Sequence, residues 1–260
     1  MKKNLIDMHV VANDHPHPNY CLLKLTADQA LPEMLPGQFV EVLVEGSSTT
    51  FLRRPISVHF VDPQANELWL LIQLIGDGTR KLATLQAGDK LNVLLPLGNG
   101  FTTSDLQPQS HCLLVGGGVG TAPMLYLGAC LKAQGITPNF LLGARSAGDL
   151  LQLDHFRALG PVYLTTEDGS MGETGFVTNH SVLKEVRFDR IYTCGPKPMM
   201  MAVARYAKAE QIDCAVSLEN KMACGLGACL CCVEKNHEGH HVCVCTEGPV
   251  FNVKELSWQI

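Results

Sequence analysis

Four short runs rich in Val, Ile and Leu lie in the first hundred residues: QFVEVLV (38–44), ISVHFV (56–61), ELWLLIQLI (67–75) and KLNVLLPL (90–97). Turn-forming clusters such as PGQ, DPQAN, AGD and GNG separate them, which predicts a small antiparallel β-barrel. From about His111 apolar strands alternate with helix-length segments: CLLVGGG then TAPMLYLGACLKAQG, NFLLGAR then LLQLDHFRALG, VYLTTEDG, and RIYTCGP then MMMAVARYAKAEQ. That alternation predicts a parallel sheet wrapped by helices. The polar stretch FTTSDLQPQS (101–110) marks the change, and AVSLEN (215–220) is a candidate last strand before a cysteine-rich end. The expected organisation is multidomain β plus α/β, divided as 1–101, 102–214 and 215–260, with no repeat or low-complexity tract.

Composition narrows the class without naming an activity. The 260 residues are 46% hydrophobic and 17% charged, enough for more than one core. A net charge of -5 with no basic block leaves nucleic acid without a counterion-releasing surface. Met1, Lys2 and Lys3 resemble the start of a signal peptide, but Asp7 and His9 interrupt its apolar segment, and no apolar run is long enough to span a bilayer. A cytoplasmic chain is expected. Six of the eleven cysteines fall between Cys224 and Cys245, a clustering that favours metal over disulfides.

Within that cluster Cys224, Cys229 and Cys232 stand as C-x4-C-x2-C, followed by a more distant cysteine. This is the spacing of a plant-type [2Fe-2S] site, with Gly225 and Gly227 free to turn backbone N–H groups toward sulfur. A structural zinc site also takes four thiolates, but its ligands usually come as two separated C-x2-C knuckles. Cys231 and Cys243 are surplus. The x2 spacing selects Cys232 over Cys231, whereas Cys243 and Cys245 would share one face of a strand, so periodicity does not choose between them. His237, His240 and His241 are expected to form a solvated loop.

LVGGGVGTAP (114–123) ends an apolar strand in glycines and opens a helix, where unpaired N–H groups can meet a pyrophosphate. Thr121 occupies the third glycine's place of the G-x-G-x-x-G fingerprint, and an ordinary strand-to-helix turn explains the same residues. TCGPKPMM (193–200) sits at another strand's C-terminal end, although an isolated Cys194 is more often a buried strand residue. In the barrel half, LRRPIS (52–57) and GDGTRKL (76–82) offer a guanidinium and a turn suited to a flavin pyrophosphate, or else solvated arginines and a plain hairpin.

In this order RPIS, GDGT, GGGVGTAP, CGPKPMM and the cysteine run resemble the ferredoxin reductase-like superfamily, and within it the dihydroorotate dehydrogenase B electron transfer subunits. The resemblance covers nearly the whole chain. It implies an N-terminal FAD-binding β-barrel, a central NAD-binding α/β domain and a small C-terminal [2Fe-2S] domain. FAD would be held by Arg54, Pro55, Ile56, Ser57, Gly78 and Thr79, and more loosely Ile72, Gln73 and Leu74. NAD would be held by Gly116, Gly117, Gly118, Gly120 and Thr121, with Cys194 and Gly195 near the nicotinamide. The family's fourth ligand precedes G-P-V-F, here Gly248-Pro249-Val250-Phe251, which points to Cys245 beside Cys224, Cys229 and Cys232. The implied partner is an FMN-containing dihydroorotate dehydrogenase catalytic subunit in a heterotetramer, and the implied role is electron transfer to NAD⁺ in pyrimidine biosynthesis. Similar subunits serve ferredoxin:NADP oxidoreductases and sulfhydrogenases, and Arg145 is a candidate to meet a 2′-phosphate.

Overall fold

A computed structural model describes residues 2–260; Met1 lies outside the described residues. The N-terminal half contains β1 (Asn4–His17), β2 (Tyr20–Thr26), β3 (Phe39–Val42), β4 (Arg54–Ser57), β5 (Phe60–Asp62), β6 (Glu67–Gln73), the short helix α1 (Asp77–Leu82) and β7 (Lys90–Leu97). Its antiparallel sheet has the order β4-β3-β7-β1-β2-β6-β5. The two edge strands are consecutive in the chain. Between them the Val58 N–H donates to the Gln38 carbonyl and the His59 N–H to the Trp69 carbonyl, so the backbone passes from one end of the sheet to the other. That handover curls the sheet into a half-barrel and splits the single strand expected over 56–61.

The long hairpin of β1 and β2 was absent from the expected strands. In β1 the apolar Ile6, Met8 and Val10 are buried while Leu5, Asp7, Val11 and Asp14 face outward or partly so. Asp7 and His9, which interrupt an apolar run, are therefore the outer positions of a period-2 strand. Inward residues such as Met8, Leu23, Leu25, Leu70 and Val93 fill the barrel. Each fully buried side chain of this size contributes about 2 kcal/mol by leaving water.

The second half holds β8 (Cys112–Gly117), α2 (Ala122–Ala133), β9 (Pro138–Ala144), α3 (Leu153–Leu159), β10 (Val162–Thr166), β11 (Glu173–Thr174), α4 (Val182–Glu185), β12 (Arg190–Cys194), α5 (Lys197–Ala209) and β13 (Asp213–Ser217). Then come the small hairpin β14 (Val233–Lys235) and β15 (His241–Cys243), and β16 (Val250–Asn252). The large sheet runs β11-β10-β9-β8-β12-β13-β16, parallel except where β16 pairs antiparallel with β13. The chain leaves β8 for β9 on one side and returns to β12 on the other, so a topological switch point lies at the C-terminal end of β8. Helix α5 buries Met200, Val203, Ala204 and Ala207 on one stripe. By contrast α2 is buried on most of its circumference, because it lies between sheet and barrel. Among the contacts that join it to the barrel, Tyr126 Oη donates to the Met34 carbonyl at 3.0 Å, and His59 Nδ1 lies 2.8 Å from the Ala122 carbonyl. No helix among the described residues is long and apolar enough to cross a membrane.

Candidate functional site

Where the half-barrel meets the large sheet there is a cleft of about 630 Å³. Arg54, Pro55, Ile56 and Ser57 of β4, Ile72 and Gln73 of β6, and Gly78 and Thr79 of α1 all line it. Leu74 does not; its side chain packs against the barrel core. The Thr79 hydroxyl accepts from the Ile75 and Gly76 N–H groups at 3.1 Å each, fixing the loop. A Cβ on Gly78 would stand 2.9 Å from Arg54 Cδ, so the missing side chain is what lets the arginine stem pass. The cleft thus offers a guanidinium and a tightly held turn to an elongated diphosphate ligand.

A second cleft of about 660 Å³ opens at the switch point. Gly117, Gly118 and Val119 line it, with Pro196 and Met199 from the opposite turn. Gly116, Gly120 and Thr121 lie beneath rather than in it. A Cβ on Gly120 would approach the Cys194 carbonyl and the Gly195 Cα at 2.5 Å, so the two turns interlock through backbone alone. The far end carries Arg145, Asp149 and Glu167. Asp149 is held by the Ser146 hydroxyl at 2.9 Å and faces His17 at 3.9 Å.

The two clefts share Gln73, Val119 and Glu219. At this junction Cys194 Sγ donates to Glu219 Oε1 at 3.8 Å. Cys194 is fully buried, and burial first and the Glu219 charge second push its thiol well up, so it stands there as a neutral donor. Glu219 is reached by solvent through the open clefts yet ringed by protein, and that crowding raises its carboxyl pKa against the pull of the Cys194 hydrogen bond.

Beyond the first cleft, reached through its lining residues Asn220 and Met222, lies the cysteine loop. Gly225 and Gly227 take positive φ, +63° and +82°. The Leu226 N–H donates to Cys224 Sγ at 3.3 Å and the Gly227 N–H to Cys245 Sγ at 3.2 Å. The first of these bonds leads in lowering the Cys224 thiol to about 6. Cys245 goes the other way, to about 12, chiefly by burial and then through its hydrogen bond with the Cys232 thiol. The four candidate thiols stand in two pairs, Cys224 with Cys229 and Cys232 with Cys245. Among the described residues no three metal-binding side chains gather about one point. Cys224, Cys229, Cys232 and Cys245, with backbone N–H groups on two of their sulfurs, would suit an iron-sulfur centre. Cys231 is exposed, and Cys243 is half-buried with its thiol 4.0 Å from the Gly227 carbonyl. His237, His240 and His241 are exposed, two of them facing Glu238.

Residues 219–257 match the family described as the iron-sulfur cluster binding domain of dihydroorotate dehydrogenase B. Over 225 residues the chain is 40% identical to the dihydroorotate dehydrogenase B (NAD(+)) electron transfer subunit of Shouchella clausii, covering 85% of this chain and 86% of that one. Its counterpart from Lysinibacillus sphaericus is 38% identical over 247 residues, covering 94% and 95%. The chain belongs to the family of dihydroorotate dehydrogenase B electron transfer subunits. Among solved structures it is similar to an NADH-dependent reduced ferredoxin-NADP oxidoreductase studied for flavin-based electron bifurcation (TM-score 0.85, 28% identity, 96% of this chain and 90% of that). A Neisseria gonorrhoeae ferredoxin NADP+ reductase shares the fold (TM-score 0.65, 18% identity, 79% and 91% covered).

Two acidic residues of this electron transfer subunit escaped the sequence reading. Glu219 lies in the expected strand over 215–220, but the strand ends at Ser217 and releases the carboxylate into the junction. Glu41 lies mid-strand in β3 with neither carboxylate oxygen hydrogen-bonded, and burial pushes its pKa up to about 7 against the pull of Arg54 and Arg53. All four residues of β3 are buried, so a charged residue in such a run was itself the signal.

Proposed function

We propose that this chain carries electrons from the FMN of a dihydroorotate dehydrogenase catalytic subunit to NAD⁺, through a [2Fe-2S] cluster and FAD, in de novo pyrimidine synthesis in the cytoplasm. The observation that carries the proposal is the succession of sites: a paired-thiol loop, a flavin-sized cleft, and a dinucleotide cleft sharing a wall with it at Gln73, Val119 and Glu219. When bound, the cluster supplies single-electron transfer and the flavin supplies the exchange between single electrons and the hydride that nicotinamide takes.

The residues do the positioning. Arg54 offers its guanidinium to a flavin phosphate while Gly78 and Thr79 hold the adjacent turn, and Pro55, Ile56, Ser57, Ile72 and Gln73 shape the wall. Gly117 and Gly118 bring backbone close to dinucleotide phosphates, while Gly116, Gly120 and Thr121 keep that turn locked on the Cys194-Gly195 turn. Cys194 stays protonated and orients the Glu219 carboxylate at the meeting point of the two clefts. Cys224, Cys229, Cys232 and Cys245 are the proposed cluster ligands. The division of the chain at 101/102 and 214/215 follows these three sites, with β13 and β16 tying the cluster segment to the dinucleotide sheet.

The native assembly would be a heterotetramer of two electron transfer and two catalytic subunits. Copurification from the host should yield an FMN-containing partner in equal amount, and a red-brown electron transfer subunit whose flavin and cluster bands bleach with NADH. Dihydroorotate oxidation by the chain alone would refute the division of labour. A second reading is favoured by the 28% identical ferredoxin-NADP oxidoreductase: the same three sites would then serve a different partner. Recovery of a partner without FMN would select it.

A further inference from the structure

Glu41 lies beside both the thiol loop and Arg54. On one side a Cβ on Gly225, next to Cys224, would stand 2.8 Å from Glu41 Cγ and 2.9 Å from its Oε1, so the carboxylate presses directly on the backbone of the thiol loop. On the other side is Arg54, whose stem runs along Gly78 at the wall of the flavin-type cleft. Arg53 completes the surround: its Nη1 donates to the Glu41 carbonyl at 3.2 Å and to the Asn92 carbonyl at 3.1 Å. The side chain is fully buried, and neither of its oxygens has a hydrogen-bond partner. An unsolvated carboxylate is costly to keep inside a protein, and apolar replacement at such a site is often neutral or stabilising. Packing therefore does not explain a glutamate here. Above about pH 7, where it ionises, it brings to this site a charge that a leucine would not.

We infer that the Glu41 carboxylate sets the electron balance between the cluster and the flavin, its negative charge disfavouring the reduced cluster so that electrons move on toward the cleft lined by Arg54. The inference rests on the proposed cluster ligands. Net charge and hydrogen bonding near sulfur are levers on cluster potential, and a charge in this dry position is screened far less than one at the surface. Gly225 is part of the device, because any side chain there would force the carboxylate off the loop.

The test is a spectroelectrochemical titration of the intact complex carrying Glu41→Gln or Glu41→Asp, run at about pH 8.5 so that the Glu41 carboxyl, pushed up to about 7 by burial, is ionised. Glu41→Gln should keep flavin and cluster at full occupancy and raise the cluster midpoint potential, with the cluster one-electron equilibrium shifting on the order of tenfold, about 59 mV. The flavin should shift less. Glu41→Asp, which keeps the charge, should stay near the wild-type potential. Unchanged cluster potential in a cluster-bearing Glu41→Gln variant overturns the inference, as do equal shifts in both variants, which would mean packing rather than charge. A wild-type preparation without iron-sulfur absorption would instead refute the cluster reading, and the inference would fall with it.

Discussion

The glycine turn of the proposed dinucleotide cleft and the cysteine loop occupy opposite ends of the proposed electron path, and they are built in opposite ways. The turn is held by the large sheet and α2, and its closest contacts are backbone against backbone, Gly120 beneath Cys194 and Gly195. Its shape needs no ligand. The cysteine loop has no helix or strand from Leu218 to Cys232, and the hairpin after it has only three residues per strand. What it contributes to the core is little more than Leu218, Cys232, Val244 and Cys245. Two of those four are proposed ligands. Where apolar burial is this thin, metal–thiolate bonds at the proposed ligands would supply the missing stability, as in other small metal-bound segments.

The largest effect expected from this contrast is at Cys245. Cys245→Ser should abolish the cluster absorption altogether while FAD remains bound and the large sheet melts near its normal temperature. Loss of flavin together with the cluster would show that the two ends are not independent. Next in size is Gly120→Ala, where the added methyl meets main-chain atoms that cannot swing aside. Destabilisation of about 3 kcal/mol is expected, with loss of NADH-driven bleaching of the flavin but an intact cluster spectrum. A denaturant midpoint within error of wild type would contradict the backbone-locked turn.

The same contrast explains what could be foreseen from the residues alone. The β8 turn and the TCGP turn declare themselves because glycines are needed where backbones approach, and such needs are written locally. The hairpin of β1 and β2 is not announced by a Val/Ile/Leu-rich run, because its inner Ile6, Met8 and Val10 are interleaved with polar residues, and its outer neighbours β7 and β6 lie far along the chain. Glu219 and Glu41 were hidden for a related reason. Each lies in a strand-like run, and its role depends on where that strand ends or what packs on it. The Cys224, Cys229 and Cys232 spacing was legible. How the thiols pair depends on the fold of the intervening loop.

A third, smaller effect separates the barrel junction from both ends. His59 is fully buried, and burial first, with nearby His155, lowers its pKa from 6.5 to about 4, while the Ala122 carbonyl pulls the other way. The folded protein therefore holds it neutral while the unfolded chain takes up a proton below about pH 6.5. Stability should fall as pH drops from about 6.5 toward 4, by up to about 3 kcal/mol, and be unaffected by this residue above that window. His59→Asn, whose amide nitrogen stands where Nδ1 does, can still donate to the Ala122 carbonyl and should flatten this part of the pH–stability curve. A wild-type curve of the same slope in the variant would place the acid sensitivity elsewhere.

The smallest expected effect bears on the choice of ligand. Cys243 is the next-but-one neighbour of Cys245, and its thiol lies close enough to Cys232, Cys224 and Cys229 to feel their charge. Its backbone N–H is taken by Glu247 Oε1 at 2.7 Å, whereas Cys245 makes direct sulfur contacts with the loop: its N–H donates to Cys232 Sγ at 3.4 Å and its own Sγ accepts from Gly227. Those bonds tie Cys245 into the second thiol pair and leave Cys243 outside both. Cys243→Ser should therefore leave the cluster spectrum and its electron paramagnetic resonance signal nearly unchanged. If Cys243→Ser bleaches the protein while Cys245→Ser does not, the ligand assignment is reversed, and the second pair must form through the shallower, half-buried thiol.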